Sequence, residues 1–263
     1  MDVLLIGYGA MGREVLKKLG DGPGRIAAIL EMPERVKAVR AEVPSSIKVV
    51  GSPDDLDDLP PLAAECAGHH AVDNYCVGLL KRGIDVIVIS VGCLAVPGVY
   101  DKLRDAAFAG NAKLMLPAGA IPGADAIAAA KIGGLEYVRY TSRKPPKAWK
   151  GTPADKVCDL DAVTERTVLY QGNAGEAARL YTQNANVAAT TALAGLGFEK
   201  TEVLLTADPT ATGNIHLIEA KGAFGEMRLE IAGKPLAENP KTSSLAAYSL
   251  VRAIRNRAGN IEI

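Results

Sequence analysis

The stretch VLLIGYGAMG, Val3 to Gly12, decides the fold. Val3-Leu4-Leu5-Ile6 is a short, unbroken apolar run, the mark of a strand buried on both faces. It stops at Gly7. A helix pattern follows from Ala10 to Leu19, with Met11, Val15, Leu16 and Leu19 along one side. Gly7 to Gly12 therefore matches GxGxxG between a strand and a helix, the context that gives the pattern meaning. Gly7 permits the tight turn, Gly9 lets a pyrophosphate approach the backbone, and Gly12 lets the helix pack against the strand. The helix start at Ala10 and Met11 offers unpaired N–H groups and the positive end of the helix dipole. Glu31 follows 19 residues after Gly12, at the end of the next strand. An acid at that place hydrogen-bonds the adenosine ribose, which favours NAD, and nearby Arg35 would admit the 2′-phosphate of NADP.

Outward from this loop the first half alternates strand and helix. Strands are expected at Ile26–Leu30, Ile47–Val50, Pro61–Cys66, Asp85–Ser90 and Lys113–Leu116, with helices at 33–41, 69–82 and 97–110 between them. Such a series predicts a parallel sheet with right-handed crossovers. After Leu116 the pattern changes. PAGAIPG, 117–123, is a break of small residues and two prolines, and reads as a hinge. Beyond it come a helix at 124–131 and long strands at 136–143, 166–171, 201–207, 214–220 and 224–231, with helices near 174–181 and 187–196. This predicts a second α+β domain with a mixed or antiparallel sheet. A final amphipathic helix, 242–257, capped by Thr or Ser, is expected to return to the first domain. The expected division is 1–117 with 240–263 as the Rossmann-type dinucleotide domain, and 118–239 as the substrate, catalytic and dimerisation domain.

Bulk composition narrows the function. The 263 residues hold 30 Lys+Arg and 30 Asp+Glu, so the formal net charge is zero, and aromatics are 5%. Neither a phosphate-backbone binder nor a base-stacking platform is expected. Cys66, Cys76, Cys93 and Cys158 show neither CxxC nor zinc-ligand spacing, so no metal site is expected. Asp2 and the absence of basic residues argue against a signal peptide at the N-terminus. The apolar run VIVISVGCLAVPGVY is too short to span a bilayer. A cytoplasmic enzyme without membrane or nucleic-acid partners is the expectation.

Several motifs extend past the glycine loop: LPAGAIPGADAI at the junction, YTSRKPPKAW, the NAN run at Asn184–Asn186, DPTATGNIHLIEAKG and ENPKTSSL. With GYGAMG they make the chain resemble the L-aspartate dehydrogenase family over nearly its whole length. Dihydrodipicolinate reductase is similar in architecture, but its HHxxK-type stretch is lacking: His69-His70 runs on into Ala71-Val72-Asp73. The resemblance implies oxidation of L-aspartate by NAD(P)⁺ to iminoaspartate, which is hydrolysed to oxaloacetate and ammonia or passed on toward NAD biosynthesis. It further implies an active-site histidine at His216 and cofactor contacts at Ala120 and Asn186.

The residue chemistry can be read beside this. Amino-acid oxidation needs an unprotonated amine, and imine hydrolysis needs proton shuttling. A histidine with an ordinary pKa of about 6.5 suits both. In the strand Asn214–Ala220 alternation places Asn214, His216 and Ile218 on one face. His216 is either an acid/base at a cleft or a core residue that has found a hydrogen bond. Asn186 either holds the nicotinamide carboxamide or caps a helix, and Ala120 would supply backbone contact. Two substrate carboxylates call for cations or free N–H groups, for which Arg143, Lys144, Lys241, Thr242 and Ser243 are candidates; solvated surface charge is the bland alternative for the cations. Trp149 reads as packing or a lid, and His69 either faces the nicotinamide or starts a helix in the core or at the surface. Two other functions stay open: an NAD(P)-dependent enzyme acting on another small dicarboxylate or imine, and a non-catalytic NAD-sensing module. A homodimer paired through the second domain's sheet is expected.

Overall fold

The computed structural model describes residues 1–263, apart from the side chains of Gln183, Pro240 and Lys241. The glycine loop sits where the sequence places it. β1 (Asp2–Ile6) leads through the loop into α1 (Ala10–Leu19), then β2 (Arg25–Leu30), α2 (Pro33–Glu42), β3 (Lys48–Val50) and β4 (Leu62–Glu65). A helical run follows, α3 (His69–Ala71) and α4 (Val77–Lys81) joined by one wider π turn at Val72–Cys76. β5 (Asp85–Val88), a 3₁₀ turn at Val91–Ala95, α5 (Val99–Ala109) and β6 (Leu114–Met115) complete the first half. All six strands are parallel, in the order β3-β2-β1-β4-β5-β6. The order reverses between β1 and β4, and ligands of doubly wound sheets bind beyond the strand ends at such a switch point.

Both sheet faces are buried, which is why the strands are apolar throughout rather than alternating. One face packs Val15 and Leu19 of α1 and Val39 of α2 against Val3, Leu5 and Ile29. The other packs Leu79 and Leu80 of α4 and Leu103 of α5 against Leu4, Ile6 and Val86.

The second half opens with α6 (Ala124–Gly133) and β7 (Leu135–Lys144). Then come β8 (Thr167–Asn173), α7 (Ala174–Leu180), α8 (Ala185–Ala194), β9 (Glu202–Ala207), β10 (Asn214–Gly222) and β11 (Gly225–Gly233). Its sheet has the order β11-β10-β7-β9-β8 and is mixed: β7 and β9 run parallel, the other pairs antiparallel. Ile127, Ala177 and Ala188 from the three helices cover one face, against Tyr140, Leu205 and Ile218.

A short strand pair, β12 (Pro235–Leu236) and β13 (Asn239–Ser243), precedes α9 (Ser244–Ala258). The last helix thus begins two residues later than its periodicity suggests, because Thr242 and Ser243 are held in extended backbone by that pairing. Ser243 occupies the N-cap position but makes no side-chain cap bond, against the expected Ser/Thr cap. Leu250, Val251 and Ile254 of α9 join the α1 side of the first sheet's core.

Candidate active site

The glycine loop is built for a dinucleotide phosphate. Gly7 has φ +94°, a left-handed conformation that suits glycine. A Cβ on Gly12 would press against the Gly7 carbonyl oxygen, whereas one on Gly9 would meet open space. Gly9 starts α1 without a side-chain cap, and the first turn carries no acidic residue. The orphan N–H groups at that terminus therefore stay available to an anion. Glu31 is buried at the end of β2; its Oε2 accepts the Tyr8 N–H at 2.9 Å and faces the Arg35 guanidinium at 3.3 Å. Acid and loop are thereby in direct contact.

A cavity of about 140 Å³ lies where the two halves meet. Met11 and Ile89 border it from the first domain, and Ala118, Gly119 and Ala120 from the connecting segment. Asn184, Asn186, Val187 and Thr190 enter from the start of α8, and Lys144, Asn214 and His216 from the sheet; Thr242, Ser243 and Ala246 close it. Two hydrogen bonds tie the parts together. The Gly92 N–H donates to Asn186 Oδ1 at 2.8 Å, and the Gly119 N–H donates to Ser249 Oγ of α9 at 3.0 Å. Asn186 is the second residue of α8, so it is no N-cap; that position belongs to Asn184.

Strand register explains which side chains face the cavity. β7 and β10 pair with Ser142 opposite His216 and Tyr140 opposite Ile218. Alternation puts Tyr140, Ser142 and Lys144 on the histidine's face. His216 is only 5% exposed, and its Nδ1 lies 2.9 Å from the Tyr140 phenol oxygen. Burial, and then the Lys144 charge, hold its pKa down at about 4, so the ring is neutral at pH 7. Nε2 has no hydrogen-bond partner among the described residues.

Lys144 is also 5% exposed. Its ammonium donates to Asn184 Oδ1 at 2.9 Å and sits 4.8 Å from the centre of the Trp149 ring. It has no carboxylate partner among the described residues, and burial pulls its pKa down to about 8. Asn184 Nδ2 in turn donates to Ser142 Oγ at 2.9 Å. Among the described residues no acidic side chain lines the cavity. A buried cation without a counter-ion is costly, and an anionic ligand would relieve that cost.

Other expectations resolve differently. Arg143 lies on the opposite face of β7, pairs with Glu230 at 3.0 Å and faces Asp208 at 3.6 Å; the same alternation that brings Lys144 to the cavity takes Arg143 away. Lys241 lies outside the described residues. Ser243 Oγ is buried beside the cavity and has no partner among the described residues. His69 is exposed at the start of α3, and Trp149 is packing rather than a lid, its indole N–H donating to the Thr206 carbonyl.

Four residues received no individual role in the sequence reading, although all lie in segments it singled out. Tyr140, Ser142 and Asn184 form the polar network behind His216. Their signal was available in the period-two pattern Tyr140-Ser142-Lys144. The fourth is Glu65, fully buried at the end of β4, whose carboxylate accepts from Ala67 N, Gly68 N, and both the backbone and hydroxyl of Ser90. Burial raises its pKa against those four bonds. It fastens the loop after β4 to the end of β5. Among the described residues no cluster of His, Cys, Asp and Glu is placed to hold a metal, and no helix is long and apolar enough to cross a membrane.

Comparison with known proteins bears on the whole chain. Residues 125–257 match the family model for the aspartate dehydrogenase C-terminal domain, and residues 7–117 match the NAD-binding domain of homoserine dehydrogenase. The chain is 48% identical to the L-aspartate dehydrogenase of Cupriavidus necator and 46% identical to that of Pseudomonas aeruginosa, with both chains covered completely in each case. It is also similar to the crystal structure of aspartate dehydrogenase from Thermotoga maritima, with a TM-score of 0.78 at 28% identity over 100% of this chain and 99% of that one. A hyperthermophilic archaeal homoserine dehydrogenase in complex with NADPH shares the fold at 13% identity, with a TM-score of 0.56. The chain belongs to the L-aspartate dehydrogenase family and is an NAD(P)-dependent amino-acid dehydrogenase.

Proposed function

We propose that the enzyme oxidises L-aspartate to iminoaspartate, with His216 as acid/base, and that the imine becomes oxaloacetate and ammonia or feeds NAD biosynthesis. The observation that carries this reading is a neutral buried imidazole and a buried ammonium in one cavity, with no acidic side chain lining it among the described residues. Lys144 binds one substrate carboxylate. Thr242 and Ser243 receive the other, a role supported by the unpartnered Ser243 hydroxyl.

Bound at the glycine loop, NAD(P)⁺ supplies the hydride acceptor. Gly7, Gly9, Ala10, Met11 and Gly12 hold its phosphates and Glu31 its ribose. Ala120 and Asn186 border the nicotinamide end. His216 moves protons during imine hydrolysis. The buried surroundings keep it neutral and ready at physiological pH.

The functional unit in this reading is 1–117 with 240–263 for the cofactor and 118–239 for the substrate, assembled as a cytoplasmic homodimer through the second sheet. NADH or NADPH formation from a panel of L-amino acids and small hydroxy acids tests the substrate. Turnover with aspartate above all others is expected. Turnover with another acid and none with aspartate would overturn the reading.

A further inference from the structure

Glu65 ends β4 wholly out of solvent, and its four hydrogen bonds all come from groups that donate to it. Oε1 accepts the Ala67 N–H at 2.8 Å, the Gly68 N–H at 2.7 Å and the Ser90 hydroxyl at 2.8 Å. Oε2 accepts the Ser90 N–H at 3.1 Å. The carboxylate thus holds the loop after β4 and the backbone after β5 together. The Ser90 carbonyl accepts the Cys93 N–H at 3.3 Å, which closes the 3₁₀ turn around Gly92. From that turn the Gly92 N–H donates to Asn186 Oδ1 at 2.8 Å. A backbone N–H can only donate, so Asn186 must give it the amide oxygen. Asn186 Nδ2 is left at the cavity without a partner among the described residues. A Cβ on Gly92 would lie 2.6 Å from the Ala185 Cβ and 2.8 Å from Asn186 Oδ1, so the turn and the start of α8 already touch.

We propose that Glu65 is a positioning residue for the nicotinamide end of the cofactor: by anchoring Ser90 it sets the Gly92 N–H, which holds Asn186 with its amide NH₂ turned to the cavity. That NH₂ suits a carboxamide oxygen, the acceptor that the nicotinamide of NAD(P)⁺ carries. Glu65 acts through Asn186 and touches no ligand itself. The role rests on the reading of Asn186 as a cofactor contact and adds what orients it.

Glutamine at this position would separate the two oxygens, since it has one accepting end and one donating end. With its oxygen in the Oε1 place it keeps the bonds from Ala67, Gly68 and the Ser90 hydroxyl. Its NH₂ then meets the Ser90 N–H, donor against donor. The reverse orientation sets the NH₂ against two backbone N–H groups and is the worse one. Glu65→Gln therefore loosens the turn after β5, while the loop after β4, whose Ala67 lies against Gly7, stays bonded.

The test is calorimetric titration of the enzyme, without substrate, with NAD⁺ and with ADP-ribose, which lacks only the nicotinamide. Glu65→Gln should weaken NAD⁺ binding about tenfold, the worth of a lost hydrogen bond, and ADP-ribose binding less than about twofold. Asn186→Ala should show the same split. The double variant should bind NAD⁺ no more weakly than Asn186→Ala, because one residue acts through the other. If Glu65→Gln does not fold, Ser90→Ala, which removes one of the four bonds, should show the split on a smaller scale. Equal losses for both ligands would make Glu65 a support of the fold alone and overturn the proposal. Native NAD⁺ affinity in Glu65→Gln, or losses that multiply in the double variant, would overturn it too, while a weakened Asn186→Ala kept the reading of Asn186 standing. Native NAD⁺ affinity in Asn186→Ala would overturn both. Failure of the aspartate assignment would show separately, in the substrate panel.

Discussion

The Tyr140 phenol oxygen stands 2.9 Å from His216 Nδ1, across two strands whose register sets Ser142 opposite the histidine. Both side chains are buried, and their rings lie 5.9 Å apart at 28°. A histidine held in this way has one free nitrogen and one direction in which to use it. The strand pairing, through the fixed period of two, sets it on the helix-covered face that carries Tyr140 and Ile218, where that face borders the cavity.

Burial of His216 makes a stability prediction. Its pKa is about 4 in the folded chain against an ordinary 6.5, so the unfolded chain binds more protons between those values. Stability therefore falls as pH drops from about 6.5 through about 4, by up to ~3 kcal/mol for this group. Replacing it with the uncharged Gln should flatten that part of the curve in urea melts taken between pH 7 and pH 4. An unchanged acid limb in His216→Gln would show that other groups control it.

The ammonium of Lys144 should govern the binding of dicarboxylates. A four-carbon dicarboxylate without an amine, used as a competitive inhibitor, isolates this contact. Lys144→Met should weaken it by about tenfold to a hundredfold, the worth of one charged hydrogen bond. In the native enzyme its inhibition constant should be flat below pH 8 and worsen about tenfold per unit above, as the ammonium of pKa about 8 loses its proton. A substitution that leaves the constant and its pH dependence unchanged would remove Lys144 from substrate binding.

Glu31 should decide between the two nicotinamide cofactors. Its carboxylate accepts the Tyr8 N–H of the glycine loop and is flanked by Arg35 at 3.3 Å. Glu31→Ala removes the ribose acceptor and frees the guanidinium for a 2′-phosphate. NAD affinity should fall by about tenfold or more while NADP gains on it, as read by titration of each cofactor. An unchanged ratio of the two affinities would place cofactor choice elsewhere.

The Rossmann half was legible because its signals are local. Buried parallel strands show as unbroken apolar runs, and the glycine loop marks the first turn. The second half hid its site in strand register. Lys144 and Arg143 are neighbours in sequence, but only the pairing of β7 with β10 says which one meets His216. Tyr140 reads as an ordinary strand aromatic until the histidine is opposite its neighbour. The start of α9 was misplaced because the β12–β13 pairing, a tertiary matter, overrides helix periodicity at Thr242 and Ser243. Glu65 gave no sign of its burial, since a carboxylate satisfied by backbone N–H groups has no partner in the sequence.

The most direct test of the account is kcat for NAD(P)H formation from saturating L-aspartate by the native enzyme and by His216→Ala, with cofactor binding measured alongside. The account predicts a fall on the order of a hundredfold or more with NAD affinity preserved. Full kcat in His216→Ala would contradict it.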